Sequence, residues 1–448
     1  MNDFGFIKSL THKKNEFQSF DEFLYWYEKT KTKNQFNVER LELSKLNLWR
    51  VNKETGNIEH DSGKFFKIRG LRVNLINQSK KNNWDQPIID QPETGILGFI
   101  TKEFNGIRYF LVQAKMEPGN INTIQISPTV QATKSNYTKA HKGKTPLYLD
   151  YFTEPNKAKK IFSYLQPEQG ARFLHKRNKN IIVHIDEDIE VFENFKWLTL
   201  FEIKKLLKYK NIVNMDTRTI ISCIDYFKED HEASWQKGSF FENCLIDKNK
   251  NINNSLKKRE ELISKTSFNA QTIELNSIES WEKNAWEINH STKQYFKVIG
   301  VRINSSNREV NYWDQPMFQD IGIGLIGLIV KKDKKKGVKF LIQLKAESGN
   351  NDCIHFAPTV SVSNYINNNA FYKKYFTSDS QKKIYDQLLS EEGGRFYQTE
   401  NRYIIVEVNE EVRIQENFIW LNYAQIIELI KLGLCNIELR SLVSTFPL

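Results

Sequence analysis

From Gln113 to Glu117 every second side chain can bind a ligand or move a proton: Gln113, Lys115 and Glu117. The same types return in the same order at Gln343, Lys345 and Glu347. Alternate residues of a strand share a face, about 6–7 Å apart at the backbone, so the ammonium can pair with the carboxylate and hold it ionised. Lysine also suits a phosphate or a developing oxyanion, and Gln, Thr and Asn suit sugar hydroxyls. The competing explanation is a structural ion pair on the wet face of an antiparallel hairpin.

Such a row needs strands behind it. Phe110, Val112, Ala114 and Met116 alternate with it and form a core face. Glu117-Pro118-Gly119-Asn120 has Pro and Gly where a type II turn places them. The returning stretch Thr123–Thr133 alternates again, with Ile124, Ile126, Pro128, Val130 and Ala132 inward and Gln125, Ser127, Thr129, Gln131 and Thr133 on the polar side. In the second occurrence His355, Ala357, Thr359, Ser361 and Ser363 take the polar side.

The repetition extends well beyond these strands. WDQP occurs at Trp84 and Trp313, SPTVQ at Ser127 answers APTVS at Ala357, EQGARF at Glu168 answers EEGGRF at Glu391, and ENFKWL at Glu193 answers ENFIWL at Glu416. Order is kept at an offset of about 230 residues, which indicates two copies of one domain rather than a solenoid of short units. The expected division is a first repeat with an N-terminal helix over 1–228, a linker over 229–254 and a second repeat over 255–448. Each copy begins with a helical stretch, Phe17–Thr32 or Lys257–Lys265, and continues with strands such as Phe65–Val73, Gly95–Thr101, Tyr109–Met116 and Ile181–Ile185. Each is expected to end with an amphipathic helix, Leu200–Tyr209 or Tyr423–Leu432. That pattern predicts α+β modules with mixed or antiparallel sheets.

The 448 residues, 40% hydrophobic and 13% aromatic, are those of a globular protein. The longest apolar run, Ile321–Val330, is half a membrane span and reads as a buried strand, and the N-terminus has no apolar signal region, so a cytoplasmic protein is expected. Four scattered cysteines without CxxC spacing argue against a zinc site or a disulfide framework. A net charge of +11 invites a nucleic-acid reading, but no recognised module or basic stripe accompanies it, and KKDKKK at Lys331 reads as a hairpin loop. GxGxxG after a strand, GxxxxGK[ST], HExxH and GxSxG are all absent from the sequence, so nicotinamide, ATP and zinc chemistry lack support. Other repeated residues keep two readings. Trp84 and Trp313 either stack on a base or sugar or plug a core; Arg172 and Arg395 either clamp a diphosphate or cap a helix; His60 and His290 read as structural.

HDSGKFF at His60, WDQP, QPETGILGF at Gln91, QAKMEPGN at Gln113, SPTVQATKSNYTKAHKGK at Ser127, KRNKN at Lys176 and NMDTRT at Asn214 together resemble the NDP-hexose 2,3-dehydratase family, and REVNYWDQP at Arg308 and HFAPTVS at His355 resemble its second half. The first copy departs at SKKNNWDQP. The resemblance implies two tandem Nudix-hydrolase-like modules, a homodimer, and a nucleotide-linked 4-keto-6-deoxyhexose as substrate. Both copies lack a Nudix box, so diphosphate hydrolysis is not expected.

On that substrate the C4 ketone acidifies the C3 hydrogen. A base takes it, the enolate charge rests on the C4 oxygen, and the C2 hydroxyl leaves with a proton to give a 3,4-diketo-2,6-dideoxy sugar. No redox cofactor or metal is called for, and the unstable product needs a 3-ketoreductase downstream. The assigned roles are Glu117 as base, Lys115 as enolate stabiliser and Tyr137 as acid, with His141 a rival for either proton transfer. Trp84, Gln86, Gln113, Asn120, Thr129, Gln131, Asn136 and Arg172 are candidates for substrate binding. The alternative site in the second copy comprises Arg308, Trp313, Gln315, Gln343, Lys345, Glu347, His355, Thr359, Tyr365 and Arg395. Competing functions are another nucleotide-sugar enzyme such as a keto-sugar isomerase, or a non-catalytic nucleotide-sugar-binding protein.

Overall fold

The computed structural model describes residues 5–77, 80–133, 145–228, 238–306, 310–333, 335–350, 354–363, 371–378 and 381–448. Each copy builds the same seven-stranded mixed sheet. In the first, Gly95–Phe104 and Ile107–Met116 form a hairpin, Arg177–His184 lies parallel to Gly95–Phe104, and Lys159–Pro167 and Phe195–Thr199 complete the edges. In the second, Gly324–Asp333, Gly337–Ala346, Glu400–Glu407, Lys382–Ser390 and Phe418–Leu421 repeat the order. Of the KKDKKK run, Lys331 and Lys332 lie in the second hairpin's strand and Lys335 and Lys336 at its turn, where Asp333 pairs with Gly337.

The returning stretch expected as one strand is two. Ile124–Ser127 pairs with Ile107–Met116, whereas Val130–Ala132 pairs with Gly95–Phe104. The hairpin splays, and the returning chain fills the fork. Thr129 stands there, its hydroxyl accepting from Ile100 N at 2.9 Å and donating to Leu111 O at 2.5 Å. Thr359 does the same between Ile329 and Leu341. Proline at 128 or 358 removes a ladder donor at the switch. The alternation therefore breaks: Ile124 and Ile126 enter one core, Val130 and Ala132 another.

Two further sheets exchange strands. Thr266–Ile273, from the second copy, adds antiparallel to Lys67–Asn77 of the first, and Phe36–Leu41, from the first, adds antiparallel to Phe296–Ser305 of the second. Each swapped strand leads into a short turn that returns to its own copy and is pinned by the aspartate of the other copy's WDQP. Asp314 accepts from Asn47 N at 2.8 Å, and its carbonyl accepts from the Trp49 indole at 2.7 Å. Asp85 accepts from Glu279 N at 2.9 Å, and its carbonyl from the Trp281 indole at 2.6 Å.

In neither copy is the expected amphipathic helix the last element. After Leu200–Leu206 comes Met215–Ile221, and after Tyr423–Lys431 comes Ile437–Ser444. These last helices pack against each other, and Arg218, fully buried between them, donates to Val213 O, Ser390 O and Ser441 Oγ, each at 2.7 Å. The principal core accordingly runs through both copies, from Phe6 and Phe23 to Leu442 and Phe446. Residues 240–244 of the expected linker form a short helix whose Phe241 and Cys244 enter that core. Cys223, Cys244 and Cys435 are buried free thiols. No helix among the described residues is long and apolar enough to cross a membrane.

Candidate active site

The first copy's polar row is not a wet face. Lys115 is 7% exposed and Glu117 4% exposed, and both line a cavity of about 740 Å³. Lys115 Nζ lies 3.8 Å from Glu117 Oε1 and donates to Gln131 O at 3.2 Å. Gln131 Nε2 donates to the same Glu117 oxygen at 2.7 Å, and Asn214 fixes Gln131 through its Oε1 at 3.2 Å. No hydrogen bond to Glu117 Oε2 is made among the described residues.

The turn that follows sets this geometry. It closes with Asn120 N on Glu117 O at 3.1 Å, and the Asn120 amide donates to Lys115 O and Thr123 O. Gly119 does not take the left-handed conformation that a type II turn requires. Glycine is needed for room instead: a Cβ there would lie 1.7 Å from Phe396 O of the second copy, and Gly119 N donates to Gly393 O at 2.7 Å. The EEGGRF turn thus docks directly on the EPGN turn. The reciprocal contact joins Gly349 N to Gly170 O at 2.6 Å.

Because of this docking, the cavity is composite. The first copy supplies Lys115, Glu117, Gln131, Glu168, Lys176, Asn178 and Asp216, the second supplies Trp313, Gln315, Glu392 and Arg395, and Leu48, His60 and Phe66 also line it. Gln315 holds the EEGGRF turn by donating to Gly394 O at 2.7 Å, and accepts from the Trp313 indole at 3.0 Å. Arg395 lies over the Phe66 ring at 4.2 Å and donates to Gln91 Oε1 at 3.3 Å; it forms no ion pair among the described residues. His60 is bonded to Ser62 at 2.8 Å, and burial lowers its pKa.

Four acids share the space with Lys115, Lys176 and Arg395. Asp216 projects from the first turn of Met215–Ile221, capped by Asn214, and burial with Glu392, Glu168 and Glu117 nearby raises its pKa well above the usual carboxylate range. Burial also raises Glu168, which accepts from Asn178 at 2.6 Å. Glu392 is pushed up to about 7, first by burial and then by Glu117, against the opposing pull of Arg395. Burial lowers the pKa of Lys176.

Trp84, Gln86 and Arg172, grouped by sequence with the first row, stand instead against the second. Gln86 donates to Ala171 O at 2.8 Å and meets Ser348 at 3.5 Å; Arg172 is neutralised by Asp320 at 3.0 Å and lies over Phe296 at 4.0 Å. Around that second row several polar groups bond to one another. Glu347 accepts from Asn350 at 2.9 Å and from Asn436 at 3.0 Å, His355 is fully buried against Asn350, and Lys345 donates to Ser361 O. Gln113 and Gln343 carry ladder positions within their sheets, and Asn120, Thr129 and Thr359 bind backbone as described. Tyr137, His141, Asn136, Arg308 and Tyr365 lie outside the described residues.

Sequence reasoning passed over Glu168, Lys176, Asp216 and Glu392 as actors, although all four sit in repeated or recognised motifs. For two of them a signal was available where the copies differ: Glu392 answers Gln169 and Lys176 answers Thr399, whereas Glu168 and Asp216 answer other carboxyls, Glu391 and Glu438.

Comparison with known proteins gives this arrangement its context. A family model described as NDP-hexose 2,3-dehydratase matches residues 20–224 and again 253–446. Relatives named dTDP-4-dehydro-6-deoxy-alpha-D-glucopyranose 2,3-dehydratase occur in Saccharopolyspora spinosa, 38% identical over 95% of this chain and 90% of that protein, and in Amycolatopsis orientalis, 35% identical over 94% and 88%. A third, from Streptomyces violaceoruber, is 34% identical over 94% of this chain and 95% of its own. Matched twice by one family model and over 94–95% of its length by these relatives, the chain belongs to the NDP-hexose 2,3-dehydratase family.

Proposed function

We propose that this hydro-lyase takes dTDP-4-keto-6-deoxyglucose into the composite cavity, removes its C3 proton and expels its C2 hydroxyl, giving the 3,4-diketo-2,6-dideoxy sugar nucleotide. The observation that carries this reading is the Lys115–Glu117 pair lining the cavity, with Glu117 Oε1 held by Gln131 and no donor to Oε2 among the described residues. Placed beside the Lys115 ammonium and oriented by Gln131, Glu117 is the base. Lys115, 3.8 Å from it, supplies positive charge for the C4 enolate as the proton departs. The counterpart Glu347 has both oxygens engaged by asparagines, which favours the first row as the reacting one.

Trp313 and Arg395 at the cavity wall suit the ring and diphosphate of the nucleotide. On this reading the modules are Nudix-like scaffolds that bind the sugar nucleotide without cleaving it, in a cytoplasmic homodimer. Their vicinal diketone product passes to a reductase acting at C3.

The test is incubation with dTDP-4-keto-6-deoxyglucose, following the C2 oxygen by mass spectrometry. Glu117→Gln is expected to lower turnover by a factor of about 10³ or more while nucleotide binding persists. Wild-type rates in that variant would remove Glu117 as base. Unchanged substrate mass with the native enzyme would point to an isomerase, and binding without turnover to a sensor.

A further inference from the structure

We propose that Glu392, brought by the second copy to a cavity floored by the first, is the acid that protonates the C2 hydroxyl as it leaves. The inference rests on the dehydratase reading above and deepens it. C3 and C2 are adjacent carbons, so base and acid must be neighbours. Here the backbone makes them so: a Cβ on Gly393 would lie 2.9 Å from the Glu117 Cβ, and the residue before it, Glu392, lines the same cavity.

The carboxyl is held as a donor would be. Its Oε1 accepts from Gly394 N at 2.7 Å, while Oε2 is covered and has no hydrogen-bond partner among the described residues. Around it stand Glu117, Glu168, Asp216, Lys115, Lys176 and Arg395, and burial first, then the adjacent Glu117, favours the protonated form against the pull of Arg395. Comparison with the other copy separates Glu392 from the remaining acids. Asp216 answers Glu438 and Glu168 answers Glu391, so a carboxyl occupies those places whether or not a cavity adjoins them. Glu392 answers Gln169, whose amide cannot give up a proton in this way and instead donates to Glu391 at 2.8 Å.

The step balances. Glu117 takes the C3 proton and the C–H electrons form the C3–C4 enolate. The enolate returns its charge to make the C2–C3 double bond, the C2–O bond breaks, and the Glu392 proton leaves with the oxygen as water. The resulting C3 enol then loses its hydroxyl proton and gains one at C2, and Glu117 and Glu392 exchange protons with solvent to reset.

A leaving group that needs no proton provides the test. With the 2-deoxy-2-fluoro analogue of the nucleotide-linked 4-keto-6-deoxyglucose, Glu392→Gln is expected to release fluoride within about threefold of the native rate, while water elimination falls by about 10²–10⁴, the range for one general acid. Exchange of the C3 hydrogen with D₂O persists in this variant, whereas Glu117→Gln loses exchange and both eliminations. In the native enzyme, water elimination falls as pH rises through about 7 and fluoride elimination does not, a contrast that needs no variant to fold. Equal slowing of both leaving groups in Glu392→Gln, full water elimination in it, or the same split in Tyr137→Phe instead would each overturn the assignment. A native enzyme that neither exchanges C3 hydrogen nor eliminates would defeat the dehydratase reading itself.

Discussion

Glu168, Asp216, Glu391, Glu392 and Glu438 are all pushed to higher pKa, with burial the largest cause in every case. For two of them the direction has a range: Glu392 rises to about 7 and Glu438 to about 8, from 4.5. A carboxyl with a raised folded-state pKa binds its proton more tightly when folded than when unfolded, so between the two values the native state holds more protons and stability falls as pH rises. The denaturant midpoint of this protein is therefore expected to drop between about pH 5 and pH 8, opposite to the trend of salt-bridged carboxylates. A midpoint that rises over that range would show that these acids are ionised in the native state. The same burial that costs stability at neutral pH keeps protons available in the cavity, so site chemistry and marginal stability share a cause.

At the scale of elements, the two docked turns decide the most. Gly119 sits 1.7 Å, by its absent Cβ, from the Phe396 carbonyl, a backbone atom that cannot swing aside. Gly119→Ala is expected to cost about 3 kcal/mol or more, the upper part of the range for overpacking, read as a lowered midpoint in urea. It should also depress turnover, because the displaced turn carries Glu392. A variant within 0.5 kcal/mol of the native protein, the usual limit for harmless surface changes, would refute the close-approach explanation. Sequence periodicity did identify the strands of the central sheets and the Gln-Lys-Glu row, because alternation over ten residues is a strong signal. It was silent on the break at Pro128, since the residues on either side alternate in the same phase although they face different cores. It also missed Met215–Ile221, too short at seven residues and too polar at MDTRT for a periodic stripe, and that helix carries Asp216. Phe36–Leu41, reading FNVERL, gave no strand signal because its partner lies in the other copy.

Over the whole molecule, two similar copies leave the crossing invisible in the sequence. A strand that resembles its counterpart fits either sheet, so repetition alone could not say that Trp313, Gln315 and Arg395 would line one cavity with Lys115 while Gln86 met Ser348 and Arg172 met Asp320 of the second copy. The pairing was decided by geometry, through the swapped strands and the aspartates of WDQP that pin the crossing segments. Fragments 1–228 and 255–448 are accordingly expected to lack cooperative unfolding when produced separately, since each leaves a strand edge unpaired and half of the principal core exposed. Co-production should restore dehydration. An isolated first fragment with a sharp thermal transition would mean that its sheets close without help.

The exchange of Thr266–Ile273 onto Lys67–Asn77 also has a temporal side. A nascent chain leaving the ribosome at about 5–20 residues per second must wait about 10–40 s between making the receiving strand and making the strand that covers it. During that interval a bare β-edge stands open to any other chain, so slower elongation or crowded synthesis should raise the fraction lost to aggregates before the polypeptide is complete.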